Sequence, residues 1–424
     1  MKNSKHFFYI FGILVALVFF GCKQKPNNIL QKEEVPENIS FEKGTFGYDK
    51  NFLKEYYPKT LVLENLDKST GIAIVPELQG RVMTSKLAGD AGMGFGWLNY
   101  DFIQSKKVNE KFNPVGGEER FWLGPEGGQF AYFFEPGSTF DFTNWRVPAS
   151  IDREPFDIVE KKTSSVAFKK KIHLVNYSGA EFHIEVQRTI KLLDNDAIKE
   201  LLGLKHLNVT AVGYETDNTL TNVGKNEWKR ETGLPSIWLL GMFISSPETT
   251  VVIPIKEGAS KALGKPVNDD YFGKVPDDRL ITTPSAIFFK ADGNYRSKIG
   301  VSPLRANTLM GSYDAKHNVL TILQIKEPNQ TEGYVNSAWK LQEDPYNGDV
   351  LNSYNDGKLE DGSQMGPFYE LESSSPALAL QPNESYSHIQ KTYHLTGSKT
   401  SLDSISKEVF GVNLEAIVSA FNSK

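Results

Sequence analysis

Cysteine is nearly missing from this chain: Cys22 is the only one in 424 residues. A single thiol makes no internal disulfide. A chain of this length does not need one, because it is long enough to bury a large core. Membrane-spanning runs are missing too. The apolar stretch Phe7 to Phe20 has 14 residues, short of the ~20 that a spanning helix requires. Cationic excess is absent, with 47 lysines and arginines against 52 acids and no basic run, which argues against a nucleic-acid partner. There is no Gly-x-Ser-x-Gly elbow and no phosphate-cradling glycine loop, so serine-hydrolase and nucleotide chemistry are set aside. No 20–50-residue repeat is evident. Downstream of the N-terminal run, His173, His183, His206, His317, His388 and His394 show no clustered ligand spacing with acids or thiols, so zinc is disfavoured.

What is present starts at the N-terminus. Lys2 and Lys5 precede the apolar run, and Gly21-Cys22 closes it. A basic start, a short apolar middle and a small residue before the cut describe an export signal over residues 1–21. The segment Phe19-Phe20-Gly21-Cys22 resembles a bacterial lipobox, which implies acylation of Cys22 and anchoring to a bacterial membrane, at the outer membrane or the periplasmic face. Loss of residues 1–21 removes two lysines and no acid, and takes the net charge from −5 to −7. Residues 22–40 are polar, with Pro26 and Pro36, and read as a flexible tether.

From Phe41 the pattern changes. Short β-branched and aromatic runs recur between turn residues: Thr60–Leu63, Gly71–Val75, Ser165–Phe168, Phe182–Leu193, Thr249–Ile253, Ala286–Lys290 and Val319–Ile325. Alternation is clear from Glu181 to Ile190. Many short strands with few helical periods predict an all-β sandwich over residues 41–398, carried as one domain. Residues 399–424 differ. Leu402, Ile405, Val409, Phe410, Leu414, Ile417, Val418 and Phe421 have the spacing of short amphipathic helices packed on the sandwich.

Glu370 and Glu372 lie two apart in an apparent strand, Phe368 to Ala377. They therefore share a face about 6.5–7 Å apart, and each raises the other's pKa unless a cation stands between them. Glu118, Arg120 and Trp122 share one face if their segment is a strand. An arginine among them suits a carboxylate, on an acidic sugar or on Glu370 or Glu372. The loop Gly124-Pro125-Glu126-Gly127-Gly128-Gln129 presents Glu126, although glycine and proline also build such turns for backbone reasons alone. Phe140 to Arg146 is a candidate cleft wall. Asp349, Asn352, Asn355 and Asp356 offer hard oxygen ligands at short spacing, so calcium at Asp349 and Asp356 is kept as an optional ligand and no cofactor is required. Asn355-Asp356-Gly357 also suits a hairpin turn. Aromatics make up 12% of the chain, with 17 tyrosines and 6 tryptophans. Such side chains suit sugar rings and large β cores alike.

Four segments together resemble the galactose-mutarotase-like β-supersandwich: Val75-Pro76-Glu77-Leu78-Gln79-Gly80-Arg81-Val82, Val115-Gly116-Gly117, Thr219-Leu220-Thr221-Asn222-Val223-Gly224, and Leu371-Glu372 with Pro376. Their order matches over about residues 60–396. The block Gly116 to Trp122 and the block Asn352 to Gly357 resemble those of Bacteroidota lipoproteins with this fold. The resemblance implies that Glu372 is the catalytic base and that Arg81 and Asn222 contact substrate. It also puts the family's acid histidine at Val223 and its second sugar-contacting histidine at Val115, and valine neither donates a proton nor hydrogen-bonds a sugar.

Two functions remain at this point. In the first, a lipoprotein processes carbohydrate with Glu372 as base and Glu370, Glu118 or His206 as partner, in a glycosidase, epimerase or lyase reaction. In the second, Arg120, Trp122, Tyr354, Asn355 and Glu372 hold a glycan without turnover. Both expect a carbohydrate ligand and a membrane anchor, and neither sets an oligomeric state.

Overall fold

The structure, a computed structural model, describes residues 40–421. The expected export signal, Cys22 and the tether up to residue 39 lie outside the described residues. Among those described, no helix is long and apolar enough to cross a membrane.

Two sheets face each other. The larger has ten strands in the order Leu280–Thr282, Ala286–Lys290, Thr249–Pro254, Leu309–Asp314, Val319–Ile325, Ser385–Thr396, Thr210–Asn222, Glu181–Leu193, Ser165–Val175 and Asp157–Lys161. The smaller has five, in the order Ser297–Val301, Leu351–Asn355, Phe368–Ser374, Ser236–Ile244 and Arg120–Gly124. A further three-stranded sheet joins Leu61–Glu64, Gly71–Val75 and Arg81–Lys86. The all-β sandwich expected from the sequence is therefore the architecture found.

Hydrophobic pattern explains which faces are covered. Along Glu181–Leu193, Phe182, Ile184, Val186 and Ile190 are buried while Glu181, His183, Gln187 and Thr189 are exposed. Period-two alternation of this kind leaves one face to water. Strands at the other end of the large sheet are apolar on both faces. Val251 and Ile253 point to the core between the sheets, while Val252 packs outward with Phe288, Leu320 and Leu395. The helices Lys399–Phe410 and Leu414–Ser419 cover that outer face through Leu402, Ile405, Phe410, Leu414 and Ile417. At ~25 cal/mol per Å² of apolar surface, each such side chain contributes roughly 1.5–3 kcal/mol when fully buried.

The space between the sheets also holds a polar network. Arg188 donates to Glu119 at 2.8 Å, to Asn218, and to the carbonyl of Gly80 at 3.2 Å. Both charged side chains are 0% exposed. Gln390 donates to the second oxygen of Glu119 at 2.9 Å, and Ser373 donates to Gln390 at 2.7 Å. Ser373 also meets His388 at 2.8 Å. Burial pushes His388 down to about 4, with Lys326 adding to the shift, so it is a neutral member of the core.

The block around Asn352 departs from expectation. Leu351–Asn355 is a strand paired on both sides, with Ser297–Val301 and with Phe368–Ser374. The connection to the next strand runs from Asp356 to Pro367, so Asn355-Asp356-Gly357 is no tight hairpin turn. Its polar side chains find partners on neighbouring segments, Asn352 on Tyr271 and Ile299 O, Ser353 on Glu370 O and Asn355 on Tyr295 O, which is why a polar sequence here still builds an interior strand.

Candidate carboxylate site on the five-stranded sheet

The outward face of the small sheet places the site. One rung runs Gly300, Asn352, Glu372, Leu240, Arg120 across the five strands. The rung beside it runs Lys298, Tyr354, Glu370, Met242. A third pairs Ser374, Trp238 and Trp122. Alternation thus brings two carboxylates, two cations, a phenol and two indoles to one surface.

The cations cross between rungs. Lys298 Nζ donates to Glu372 Oε2 at 2.9 Å, and Trp238 Nε1 donates to the same oxygen at 2.9 Å. Arg120 Nη2 donates to Glu370 Oε1 at 3.3 Å. The Arg120 guanidinium also lies 4.1 Å over the Trp122 ring, a cation–π contact. Glu370 and Glu372 are both buried. Burial pushes Glu370 up to about 8; Arg120 opposes the shift, and the neighbouring charge of Glu372, with a hydrogen bond between the two carboxyl groups, adds to it. Two neighbouring buried carboxyls do not both ionise freely, and burial favours the protonated form of Glu370. Three buried atoms on this face take no conventional protein partner: Glu372 Oε1, Arg120 Nε and Trp122 Nε1.

A stability consequence follows. The folded-state value of Glu370 stands above that of an unfolded glutamate, so its contribution is fully present below about 4.5 and is lost as pH rises through about 8. Glu370→Gln removes that loss. Melting curves from pH 5 to 8.5 are expected to show the variant gaining on the wild type by several degrees as pH rises. Parallel curves would show that Glu370 titrates as an ordinary carboxylate.

Aromatic rings wall the site. Trp122 meets Trp238 at 5.5 Å and Phe133 at 5.2 Å between ring centroids. Phe112 bridges Trp122 and Trp145 at 5.8 and 5.6 Å, and Trp339 stacks on Trp145 at 6.1 Å. Trp145 Nε1 donates to Glu126 Oε1 at 2.9 Å. Burial raises Glu126 above the usual carboxylate range, with Lys298 and the Trp145 and Trp339 indoles opposing and Glu372 reinforcing. At the other rim, Tyr271 and Asn268 donate to Asp349 Oδ2 at 2.6 and 2.9 Å. Gly300 makes this possible, since a Cβ there would stand 2.1 Å from that oxygen. The stretch Val335 to Gly348 closes over the face, and the recess left between Trp238, Tyr271, Lys298, Val335 and Asp349 has about 20 Å³ of free space, enough for about one water.

The structure brings together Glu370, Glu372, Arg120, Trp122, Glu126 and Tyr354 from the residues singled out in the sequence. It places the others elsewhere. Glu118 does not share the Arg120 face, because the strand begins at Arg120. Its carboxylate turns into the core, where Ser85 donates to it at 3.0 Å and His394 Nε2 lies 3.2 Å away. Arg81 is buried, donating to Gly116 O and Gln79. Asn222 caps a turn by donating to the carbonyls of Asn226 and Leu380. Asn355 faces the opposite side of its strand and donates to Tyr295 O. Asp349 and Asp356 flank Leu351–Asn355 at opposite ends, roughly 20 Å apart at ~3.3 Å per residue, so one ion does not reach both. Asp356 instead accepts from Tyr354 at 2.8 Å and from the Gly366 N–H at 3.0 Å.

Sequence reasoning missed Lys298, Trp238, Tyr271 and Trp339. Trp238 sits in Ser236–Ile244, an apolar run that reads as core on both faces. Lys298 carried one signal, a lone cation at an alternate position of a short strand, Ser297–Val301. Trp145 lies in the stretch expected to wall the cleft.

Over residues 44–421 the sequence matches the profile of a family of unknown function, DUF6786. No curated protein matches it. Among solved structures it is similar to the Slr1438 protein of Synechocystis sp. PCC 6803, at 13% identity and a TM-score of 0.47, covering 80% of this chain and 96% of that one. It is also similar to a galactose mutarotase-like protein of Lactobacillus casei ATCC 334, at 12% identity and a TM-score of 0.45, covering 79% and 99%. A galactose mutarotase related enzyme of Lactobacillus acidophilus gives 9% identity and a TM-score of 0.43, covering 80% and 98%.

Proposed function

The chain belongs to the DUF6786 family of unknown function, and we propose that it binds acidic carbohydrate on the outward face of its small sheet and moves a proton there. The observation that carries this is the buried carboxyl pair Glu370/Glu372 on neighbouring rungs, held by Arg120 and Lys298, beside indole walls with unpartnered buried donors. Glu372 is the base and Glu370, still protonated, is the acid. Arg120 Nε and Trp122 Nε1 are the donors left for a ligand. A sugar ring stacks on indole, and a sugar carboxylate meets the two cations. A carboxyl that favours its protonated form beside a second carboxylate suits proton transfer at a sugar carbon or hydroxyl. Ligand pockets start near ~300 Å³, so entry requires the Val335–Gly348 cover to lift.

A second function, binding without turnover, is favoured by one contact: the Lys298 ammonium sits on the oxygen of the proposed base. Incubating the chain in D₂O with uronic-acid and neutral oligosaccharides separates the two. Deuterium entering a sugar C–H position, or a new product on chromatography, supports turnover. A ligand-dependent rise in melting temperature without exchange or product supports binding alone. Neither effect with any glycan overturns both.

We further propose that the protein is exported and held at a bacterial membrane through acylated Cys22. Cys22→Ser is expected to move it from the membrane fraction to the soluble or unprocessed fraction. A variant that stays fully with the membrane contradicts the anchor.

A further inference from the structure

A second cluster lies on the water-facing side of the large sheet, away from the carboxylate face. His173 and His183 stand directly opposite each other in the antiparallel pair Ser165–Val175 and Glu181–Leu193. Asn176 N–H bonds to Ala180 C=O at the hairpin end. Counting back from that bonded pair puts 173/183 on a non-hydrogen-bonded rung, where side chains approach most closely. The two imidazoles stack with centroids 4.5 Å apart. Glu181 is two residues before His183 on the same face. Its Oε2 lies 3.4 Å from His173 Nε2 and 3.9 Å from His183 Nε2.

We propose that His173, His183 and Glu181 form a binding site for a divalent transition-metal ion, with Zn²⁺ as the ion the ligand set fits. Imidazole and carboxylate ligands bind zinc at ~2.0–2.2 Å, so the edges of its tetrahedron are about 3.4 Å. All three ligand atoms lie within 4.8 Å of one another, so small side-chain rotations close the set. The side chains are 49%, 54% and 63% exposed for His173, His183 and Glu181, which leaves those rotations free. The backbone beneath them is not free. Ile172, Leu174, Phe182 and Ile184 alternate into the core, which fixes all three ligands outward on a rigid scaffold. Three protein ligands leave the fourth zinc position open. Glu181 also lines a surface groove of about 580 Å³ with Lys225, Glu227, Trp228 and Gln381, so a molecule in that groove lies within reach of the metal's neighbourhood. Sequence spacing shows no such cluster; the three side chains meet only in space. The two histidines are ten positions apart in sequence, and the hairpin register brings them together.

The test is calorimetric titration of Zn²⁺ into the purified chain at neutral pH, with Ca²⁺ and Mg²⁺ as controls. One tight Zn²⁺ site per chain is expected, with no response to the hard cations, since imidazole ligands disfavour them. His173→Ala and His183→Ala should each weaken binding tenfold or more, and Glu181→Gln by a smaller factor. His317→Ala should leave it unchanged. Because protons compete for the ligands, the affinity should fall as pH is lowered, and Zn²⁺ should raise the wild-type melting temperature by mass action. The substituted side chains are exposed, so the variants keep the fold, which the zinc-free melting temperature verifies. Absence of zinc binding, or equal binding by a His173→Ala/His183→Ala double variant, overturns the proposal.

Discussion

Glu372→Gln should lower any turnover by ~10²–10⁴-fold, the range for removing a positioned general base, while the melting temperature stays within ~3 °C of wild type. The substitution keeps shape and one acceptor oxygen. Lys298 and Trp238 both donate to a single oxygen of Glu372, and an amide oxygen accepts both bonds. What disappears is the charge that takes a proton and that helps hold Glu370 in its protonated form. Lys298 keeps solvent access, with 12% of its side chain exposed, so the lost ion pair leaves it partly hydrated. The variant should therefore still bind glycan. Full activity in it removes Glu372 from the base role. A collapse of stability instead assigns the residue to structure.

Arg188→Met should cost about 3–5 kcal/mol, the range for breaking a buried ion pair from one side. Its guanidinium and the Glu119 carboxylate are both shut off from water at 2.8 Å. Methionine fills much of the volume but leaves Glu119 with only the Gln390 donor. Adding Glu119→Gln removes the stranded charge, so the double variant should recover part of the loss, a coupling that denaturant unfolding of all four species measures. A single variant that costs under ~1 kcal/mol would mean that Glu119 is hydrated or protonated, and that the core is not the dry layer described.

Much of the fold was legible because burial writes itself as period. Gly71–Val75, Ala286–Lys290 and Val319–Ile325 are strands as expected, and Leu402, Ile405, Leu414 and Ile417 mark the covering helices. Half of the site was legible for the same reason. Glu370 and Glu372 are two apart in one strand, and Arg120 and Trp122 in another. The rest depends on which strands become neighbours. Lys298 reaches Glu372 across two intervening sheet contacts, and no local pattern announces that pairing. Glu118 shows the opposite failure: alternation was extended two residues beyond the true start of the strand, and the carboxylate landed in the core. Leu351–Asn355 hid because its polar side chains imitate a turn.

Intrinsic tryptophan fluorescence tests the central claim most directly. Trp122, Trp145, Trp238 and Trp339 wall the carboxylate face, whereas Trp228 lies at the groove beside Glu181. Titration with uronic-acid oligosaccharides should give a saturable change in the wild type and in Trp228→Phe. The change should be lost or weakened at least tenfold in Arg120→Met. No saturable change with any oligosaccharide, or the same titration curve in Arg120→Met, would contradict a carbohydrate site on this sheet.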